Sequence, residues 1–146
     1  MAASAKIYSK FPFWLLGDQF GEFTDVDKFK CMLCTSIYTP NQDDHDAKDD
    51  ITNEVVGDGY VAGGEGLGVH GKSVAGRVTK FDGADVEWAD STITARYAVV
   101  YDNDPVGDDN KMLVFYVDFG ENKSSEAGTF KIQWNASGIF TITVPA

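Results

Sequence analysis

The C-terminal third of the chain contains four strand-like runs in succession, and this feature constrains the fold more than any other. Odd-numbered side chains from Ile93 to Tyr101 fall on one face, and even-numbered ones fall on the other. Residues 112–117 are apolar on both faces, which is typical of a central strand covered on both sides. Turn residues bound the runs, which cover residues 92–101, 112–117, 129–134 and 139–144.

Two turns predict how strands connect. The dipeptide Asp82-Gly83 separates short strand-like runs at 74–79 and 84–88, which predicts a hairpin. The turn that ends at Gly138 separates the last two runs and predicts a second hairpin, because glycine is free to take a positive φ.

Other segments complete the pattern. Residues 28–36 alternate and predict a strand with Phe29, Cys31 and Leu33 on one face, whereas residues 102–110 and 120–128 predict exposed loops. The turn signals lie roughly 8–12 residues apart, a spacing typical of sandwiches. The sequence therefore predicts an all-β fold, an antiparallel sandwich or jelly roll with a short N-terminal helix or arm.

Residues 1–22 form a separate N-terminal segment, and residues 23–146 form a single β-sandwich domain in this interpretation. The segment is apolar at roughly helical spacing, and Pro12 limits any helix to starting near it. Two hypotheses remain open: a short helix packed across the β core, or an arm docked on a neighbouring subunit. The candidate subunit-contact residues of the arm are Phe11, Phe13, Trp14, Leu15 and Leu16.

Composition narrows the function classes. The 146 residues are 43% hydrophobic and carry a formal net charge of −11. That length and hydrophobicity suit one domain with a real core, and the charge disfavours binding to nucleic-acid phosphates. The apolar run 11–16 contains Pro12 and is too short for a signal sequence or a membrane span. We therefore expect a protein made and kept in a cytoplasm, with no nucleic-acid partner and no membrane partner.

Residues 66–73, GLGVHGKS, match the phosphate-binding pattern G-x4-G-K-[ST]. That chemistry needs a helix directly after the loop, because the helix N-terminus completes the anion site. The residues that follow include Gly76 and three β-branched side chains without helical periodicity. The pattern therefore predicts a Gly-rich surface loop and no nucleotide cofactor.

Metal and redox sites have weak support. Cys31 and Cys34 have C-x2-C spacing, but positions i and i+3 of a strand point to opposite faces. A zinc site would need two further ligands, and His45 and His70 have no paired spacing. Acidic residues cluster at 43–50 and at 102–109, where we expect solvated loops, with weak calcium sites as the alternative. The sequence predicts structural cysteines and no metal cofactor.

No catalytic constellation is evident, so we expect a protein that is not an enzyme. Asp and Glu are abundant, but abundance does not place two carboxylates at catalytic distance. Trp14, Trp88 and Trp134 are candidates for a sugar-binding platform, although aromatic residues on strands are more often core.

The sequence resembles a family of small tailed-bacteriophage virion structural proteins over nearly its whole length. The strongest matches are VEW at 86–88 with TITARYAVVY at 92–101, then YVDFG at 116–120, and then GTFKIQW at 128–134 through GIFT at 138–141. Further matching pieces are AKIY at 5–8, residues 29–43, NEV at 53–55 and GYVAGG at 59–64.

The resemblance implies a non-enzymatic role on the virion, as a decoration or cement protein of the capsid surface. Such proteins bridge neighbouring major capsid subunits and are assembled in the host cytoplasm. The implied partners are the major capsid protein and further copies of the chain, as a dimer or a trimer. The alternatives are a tail, neck or head-fibre component, or a glycan-binding module on the virion.

Overall fold

The computed structural model describes residues 2–17, 20, 28–103 and 107–146. This part of the chain is built mainly of β-strands, with one short helix, α1 (Phe11–Leu16), and two 3-10 turns at Lys48–Asp50 and Asp108–Asn110. The strands are β1 (Ser4–Ile7), β2 (Phe29–Cys34), β3 (Glu65–Gly66), β4 (His70–Ala75), β5 (Val78–Gly83), β6 (Val86–Asp102), β7 (Leu113–Ile132) and β8 (Phe140–Thr143).

The strands form two antiparallel sheets that pack against each other. The larger sheet has the strand order β1-β7-β6-β2-β3, and the smaller sheet has the order β4-β5-β8. Because every strand pairs antiparallel and helix is almost absent from the described residues, the prediction of an all-β sandwich is confirmed.

A long hairpin of β6 and β7 forms the centre of the larger sheet. The prediction of an exposed loop at 120–128 is wrong, because β7 runs through these residues without a break. Cross-strand hydroxyl pairs hold this polar part in place: the distance from Thr94 Oγ1 to Ser124 Oγ is 2.7 Å, and that from Ser91 Oγ to Ser125 Oγ is 2.7 Å. Polar residues therefore continue the strand beyond the core.

A bulge at Arg96 changes which side chains of β6 face the main core. Ala95 pairs with Lys123 and Tyr97 with Asp118, so one residue of β6 lies opposite four residues of β7. Before the bulge, the odd-numbered Ile93 and Ala95 belong to the main core cluster. After the bulge, the even-numbered residues belong to it instead, beginning with Ala98. The predicted odd and even faces are therefore wrong beyond this point, since a bulge shifts the side-chain period by one.

The predicted hairpin around Asp82-Gly83 is wrong. Strand β5 ends at Gly83, and Asp82 pairs with Gly71 of β4. The tight turn lies instead at Gly76, where φ is 59°, between Ala75 and Val78. A two-residue hairpin turn needs positive φ, which Gly76 supplies.

The predicted hairpin between residues 129–134 and 139–144 is also wrong. The turn itself forms, and Gly138 has a φ of 110°. However, Ile132 pairs with β6, whereas β8 pairs with β5 through Phe81 and Phe140, so this turn carries the chain from one sheet to the other. The change of sheet is fixed by backbone bonds that no local sequence pattern encodes, such as the 2.8 Å bond from Ile139 N–H to the Phe81 carbonyl.

Side chains on the two faces of β2 enter two different core clusters. Phe29, Cys31 and Leu33 lie in the main cluster between the sheets, as predicted. Met32 and Cys34 lie in a second cluster under the loops at 35–51, together with residues of β6 and β7. The larger sheet is therefore covered on both faces along β2, which agrees with the apolar character of its central strands.

The N-terminal segment is joined to the β domain. Residues Ser4–Ile7 form the edge strand β1, which pairs with Phe115–Asp118 of β7. Helix α1 begins at Phe11 with Pro12 in its first turn and is followed by Gly17, as the position of proline predicts. The predicted domain boundary between residues 22 and 23 lies outside the described residues.

Candidate functional site

The five predicted contact residues all lie on α1, but the structure gives them different environments. Phe11 is buried in the main core of its own chain, where its ring lies 5.2 Å from that of Phe20 and 5.6 Å from that of Phe140. Trp14 and Leu15 are half-buried against the same core. Phe13 and Leu16 are 68% and 89% exposed.

The start of α1 is tied to the loop at 41–50 by polar contacts. Ser9 Oγ donates to Asp43 at 2.6 Å. Lys10 Nζ donates to the Asp44 carbonyl at 3.0 Å and to Asp46 at 3.3 Å. These bonds and the burial of Phe11 hold the short helix in one position, so its exposed apolar side chains are presented in a fixed geometry.

The inner face of the smaller sheet continues this apolar surface. Lys72, Phe81 and Phe140 lie opposite one another across β4, β5 and β8, and Thr79 lies opposite both Val74 and Ile142 in the next row. The first row reaches the core through Phe81 and Phe140, whose stacked rings are 5.0 Å apart.

The second row extends beyond the core. Val74 is 71% exposed and Ile142 is 49% exposed. A cavity of about 170 Å³ lies where this face meets α1, and it is lined by Leu15, Phe81, Phe140, Ile142 and neighbouring residues. Helix α1 and the projecting sheet thus form one continuous surface, which we call the basic face because of its charges.

The charge of the basic face is opposite to that of the whole chain. Residues 70–83 and 140–146 contain three basic side chains and one carboxylate, in a chain of net charge −11. Lys80 pairs with Asp82 at 3.5 Å. Lys72 and Arg77 are exposed, and neither makes an ion pair within the described residues. Lys72 lies on the same face of the sheet as Val74 and Phe81, whereas Lys80 and Asp82 lie on the other face. Within the described residues the apolar surface therefore carries the positive charge of Lys72.

Sequence reasoning found the α1 part of this surface and missed the sheet part. Val74, Thr79 and Ile142 come together only through the β4-β5-β8 pairing. The available signal was the positive charge of residues 72–80 within an acidic chain.

Residues 66–73, which match the phosphate-binding pattern, do not form a phosphate loop. His70–Ala75 is strand β4 and is followed by a turn into β5, so Lys72 and Ser73 lie within a strand and not at the start of a helix. The prediction of a surface loop is wrong for residues 70–73, because they pair with β5, whereas residues 67–69 lie outside any strand. Backbone amides engaged in a strand ladder cannot converge on a phosphate.

Cys31 and Cys34 lie on opposite faces of β2 and are buried, free thiols. Burial raises the pKa of both, that of Cys34 to about 12. A thiol with a raised pKa is a poor nucleophile and a poor metal ligand.

The acidic segments are engaged in internal contacts. Asp50 accepts backbone N–H groups from Asp46 at 2.8 Å and from Ala47 at 3.4 Å. Asp102 is buried and pairs with Lys28 at 2.9 Å. Among the described residues no group of three or more His, Cys, Asp or Glu side chains is placed to hold a metal ion, and Asp104 lies outside them.

A groove of about 750 Å³ runs beside β7. Its lining is mainly aromatic and aliphatic, with Lys123 and Lys131 among its polar residues, and the described lining contains no His, Cys, Asp or Glu. The described lining of the groove therefore offers no carboxylate or imidazole that could act as a general base.

Trp88 is unavailable to a sugar. It is 2% exposed and packs between Tyr60, at 6.0 Å, and Phe130, at 5.9 Å. Trp14 and Trp134 are half-buried, and the Trp134 indole N–H donates to the Ala84 carbonyl at 2.9 Å. The three tryptophans therefore do not form an exposed platform together.

Comparison of the chain with known protein families, with curated proteins and with solved structures found no match. No helix within the described residues is long and apolar enough to span a membrane.

Proposed function

We propose that this chain is a non-enzymatic structural protein of a tailed-bacteriophage virion, and specifically a decoration protein that bridges and stabilises major capsid subunits on the outer surface of the shell. The observation that carries the proposal is the basic face, where a fixed helix and a projecting sheet present apolar side chains to a partner. Contiguous exposed apolar surface on a folded domain is typical of a protein–protein contact.

Two further properties support this role. The net charge of −11 repels packaged DNA and keeps the protein soluble at the concentrations that assembly requires. The main core includes aromatic pairs at 5.0 to 6.3 Å that link α1, β2, β5 and β8. Such a core suits a protein that must stay folded while it is held on a particle.

The test is a copy-number count on purified particles, by cryo-EM or by quantitative mass spectrometry against the major capsid protein. A decoration protein gives one copy per capsid subunit, or a simple fraction of that ratio. A handful of copies per particle would overturn the proposal and place the chain in the tail, the neck or a head fibre.

A second measurement tests the stabilising role. Heads assembled without this chain should release DNA at a lower temperature than decorated heads, and adding the purified protein back should restore the difference. Catalytic activity is not needed for this effect, because a protein that bridges subunits stabilises the shell by binding to its closed form. Equal release temperatures would contradict a cement function.

A further inference from the structure

Four strands lie at the edges of the two sheets, and one of them lacks the charge that usually protects an edge. The edge strands are β1 and β3 of the larger sheet and β4 and β8 of the smaller sheet. Lys6, Glu65 and Lys72 give each of the first three a charged side chain. Residues 138–146, which include β8, contain no charged side chain. Charges on edge strands discourage pairing with other molecules, so among the described strands β8 is the edge most open to it.

The outer edge of β8 presents backbone groups in a defined pattern. The Val144 N–H donates to the Arg77 carbonyl at 2.8 Å, so the backbone groups of Val144 face β5. These groups alternate between the two sides of a strand in an antiparallel ladder, so those of Ile142 face β5 as well. The N–H and carbonyl groups of Thr141 and Thr143 therefore point away from the sheet, where no strand of the described chain pairs with them.

The side chains of β8 also suit a second strand. Ile142 and Val144 are 49% and 62% exposed, and by alternation they lie on the same face as Phe140. Thr141 and Thr143 are exposed on the other face. Apolar and threonine side chains that lie opposite each other on paired strands stabilise the pairing.

We propose that β8 pairs antiparallel with β8 of a second copy, so that the two smaller sheets form one sheet of six strands. Identical antiparallel strands are related by a two-fold axis perpendicular to the sheet, which places one residue opposite its own copy. When that residue is Ile142, Thr141 of each copy lies opposite Thr143 of the other. The four outward N–H groups of the two copies then all reach carbonyl acceptors.

Neighbouring registers satisfy fewer of these groups. A register centred on Thr141 needs the Ile139 N–H, which already donates to the Phe81 carbonyl at 2.8 Å. A register centred on Thr143 needs an N–H from Pro145, and proline has none. The Ile142 register avoids both losses and brings no charged side chains together.

The two-fold axis keeps the two basic faces on the same side of the six-stranded sheet. A dimer therefore presents this face twice in one direction, and two simultaneous contacts bind a repetitive surface more tightly than one. Only the placing of this paired surface on a shell rests on the proposed function.

The first test measures the mass of the purified full chain by analytical ultracentrifugation. We expect a dimer that persists as salt rises from about 50 mM to about 500 mM, because no ion pair holds the contact. Ile142→Lys brings like charges together at the axis and should weaken dimerisation at least about tenfold. Val74→Lys is the matched control and should leave the mass unchanged, because Val74 is 71% exposed on the same face but lies on β4, at the opposite edge of the sheet.

The second test removes backbone bonds. The Thr143 N–H points outward, so Thr143→Pro removes no bond within the sheet but removes two of the four bonds between copies. It should also weaken dimerisation at least about tenfold, whereas Thr143→Val keeps the N–H and should dimerise like the wild type. Far-ultraviolet circular dichroism verifies that both variants retain their strands.

The third test determines the register by a positive signal. Residues directly opposite in a pair that is not hydrogen-bonded have Cα atoms about 4.5 Å apart, within the range of a disulfide. Ile142→Cys should therefore give a covalent dimer under mild oxidation. Val144→Cys is the control, because in this register the two copies of residue 144 lie about 14 Å apart and cannot cross-link.

Any of three results overturns this dimer. A wild-type chain that is monomeric at about 1 mM would leave the β8 edge to a strand of another protein. Dimerisation that survives both Ile142→Lys and Thr143→Pro would place the contact elsewhere. Equal cross-linking of Ile142→Cys and Val144→Cys would exclude the register. All three use free protein, whereas a failure of the capsid role would appear in the copy-number count alone.

Discussion

At the scale of single residues, several close backbone contacts fix the loops of this domain. Gly64 is the tightest example, with a φ of 79° and with the backbone of Cys31 and Met32 within 3 Å of the position a Cβ would take. Glycine is needed there for two reasons, since a side chain would be strained by the positive φ and would also collide with β2.

Gly64→Ala should destabilise the fold by at least about 3 kcal/mol. Gly71→Ala is the matched control, because Gly71 has no atom within 4 Å of its Cβ position and no positive φ. Its stability should stay within about 0.5 kcal/mol of the wild type. Urea unfolding of both variants measures the difference, and equal midpoints would contradict the close contact at Gly64.

The pKa of Asp118 is lowered by its hydrogen bond with Arg96, at 2.7 Å, and by the Gly120 N–H. A carboxyl with a lowered folded-state pKa stabilises the fold above its unfolded value near 4, and this stabilisation is lost as the pH falls through the folded-state pKa. Asp118→Asn should therefore cost about 1–2 kcal/mol at pH 7 and progressively less below about pH 4.

Urea unfolding from pH 7 to pH 2.5 tests this expectation for Asp118. Glu126→Gln is the control, because Glu126 is exposed and makes no ion pair within the described residues. A cost for Asp118→Asn that does not change with pH would show that the Arg96 contact contributes no charge-dependent stability.

At the scale of elements, the sequence predicts individual strands well and their pairing poorly. The alternation of β2 is confirmed to the residue, because both of its faces are buried and no bulge interrupts it. The partner of β8 could not be predicted, since the turn at Gly138 is compatible with a hairpin or with a change of sheet. For the same reason the helix part of the basic face was predicted and its sheet part was not.

The opposite faces of β2 determine the behaviour of the two thiols. Positions three apart on a strand are separated by about 10 Å, which is too far for a disulfide. We expect neither Cys31 nor Cys34 to react with a thiol reagent such as DTNB in the folded protein, and both to react in concentrated guanidinium chloride. Ser73→Cys, on the exposed part of β4, should add one thiol that reacts at once. Loss of both native thiols under mild oxidation of folded protein would contradict this geometry.

At the scale of the whole molecule, one core joins the two sheets. The main cluster contains Phe29 and Phe115 from the larger sheet and Phe81 from the smaller one. The smaller sheet has no separate buried cluster among the described residues, so it cannot remain folded alone.

We therefore expect a single cooperative unfolding transition. Tryptophan fluorescence follows the main core through Trp88, and far-ultraviolet circular dichroism follows all strands. The two denaturation curves should superimpose. A separate early transition, seen by circular dichroism alone, would indicate that the smaller sheet unfolds independently.

The pairing of β1 with β7 has a consequence for synthesis on the ribosome. Ser4 leaves the exit tunnel more than a hundred residues before Asp118, the residue it pairs with. Phe11 likewise precedes Phe140, one of the rings that bury it, by more than a hundred residues. A nascent chain therefore exposes its first strand and helix to chaperones and proteases until translation is nearly finished, and messages truncated before β8 should yield products that the cell degrades.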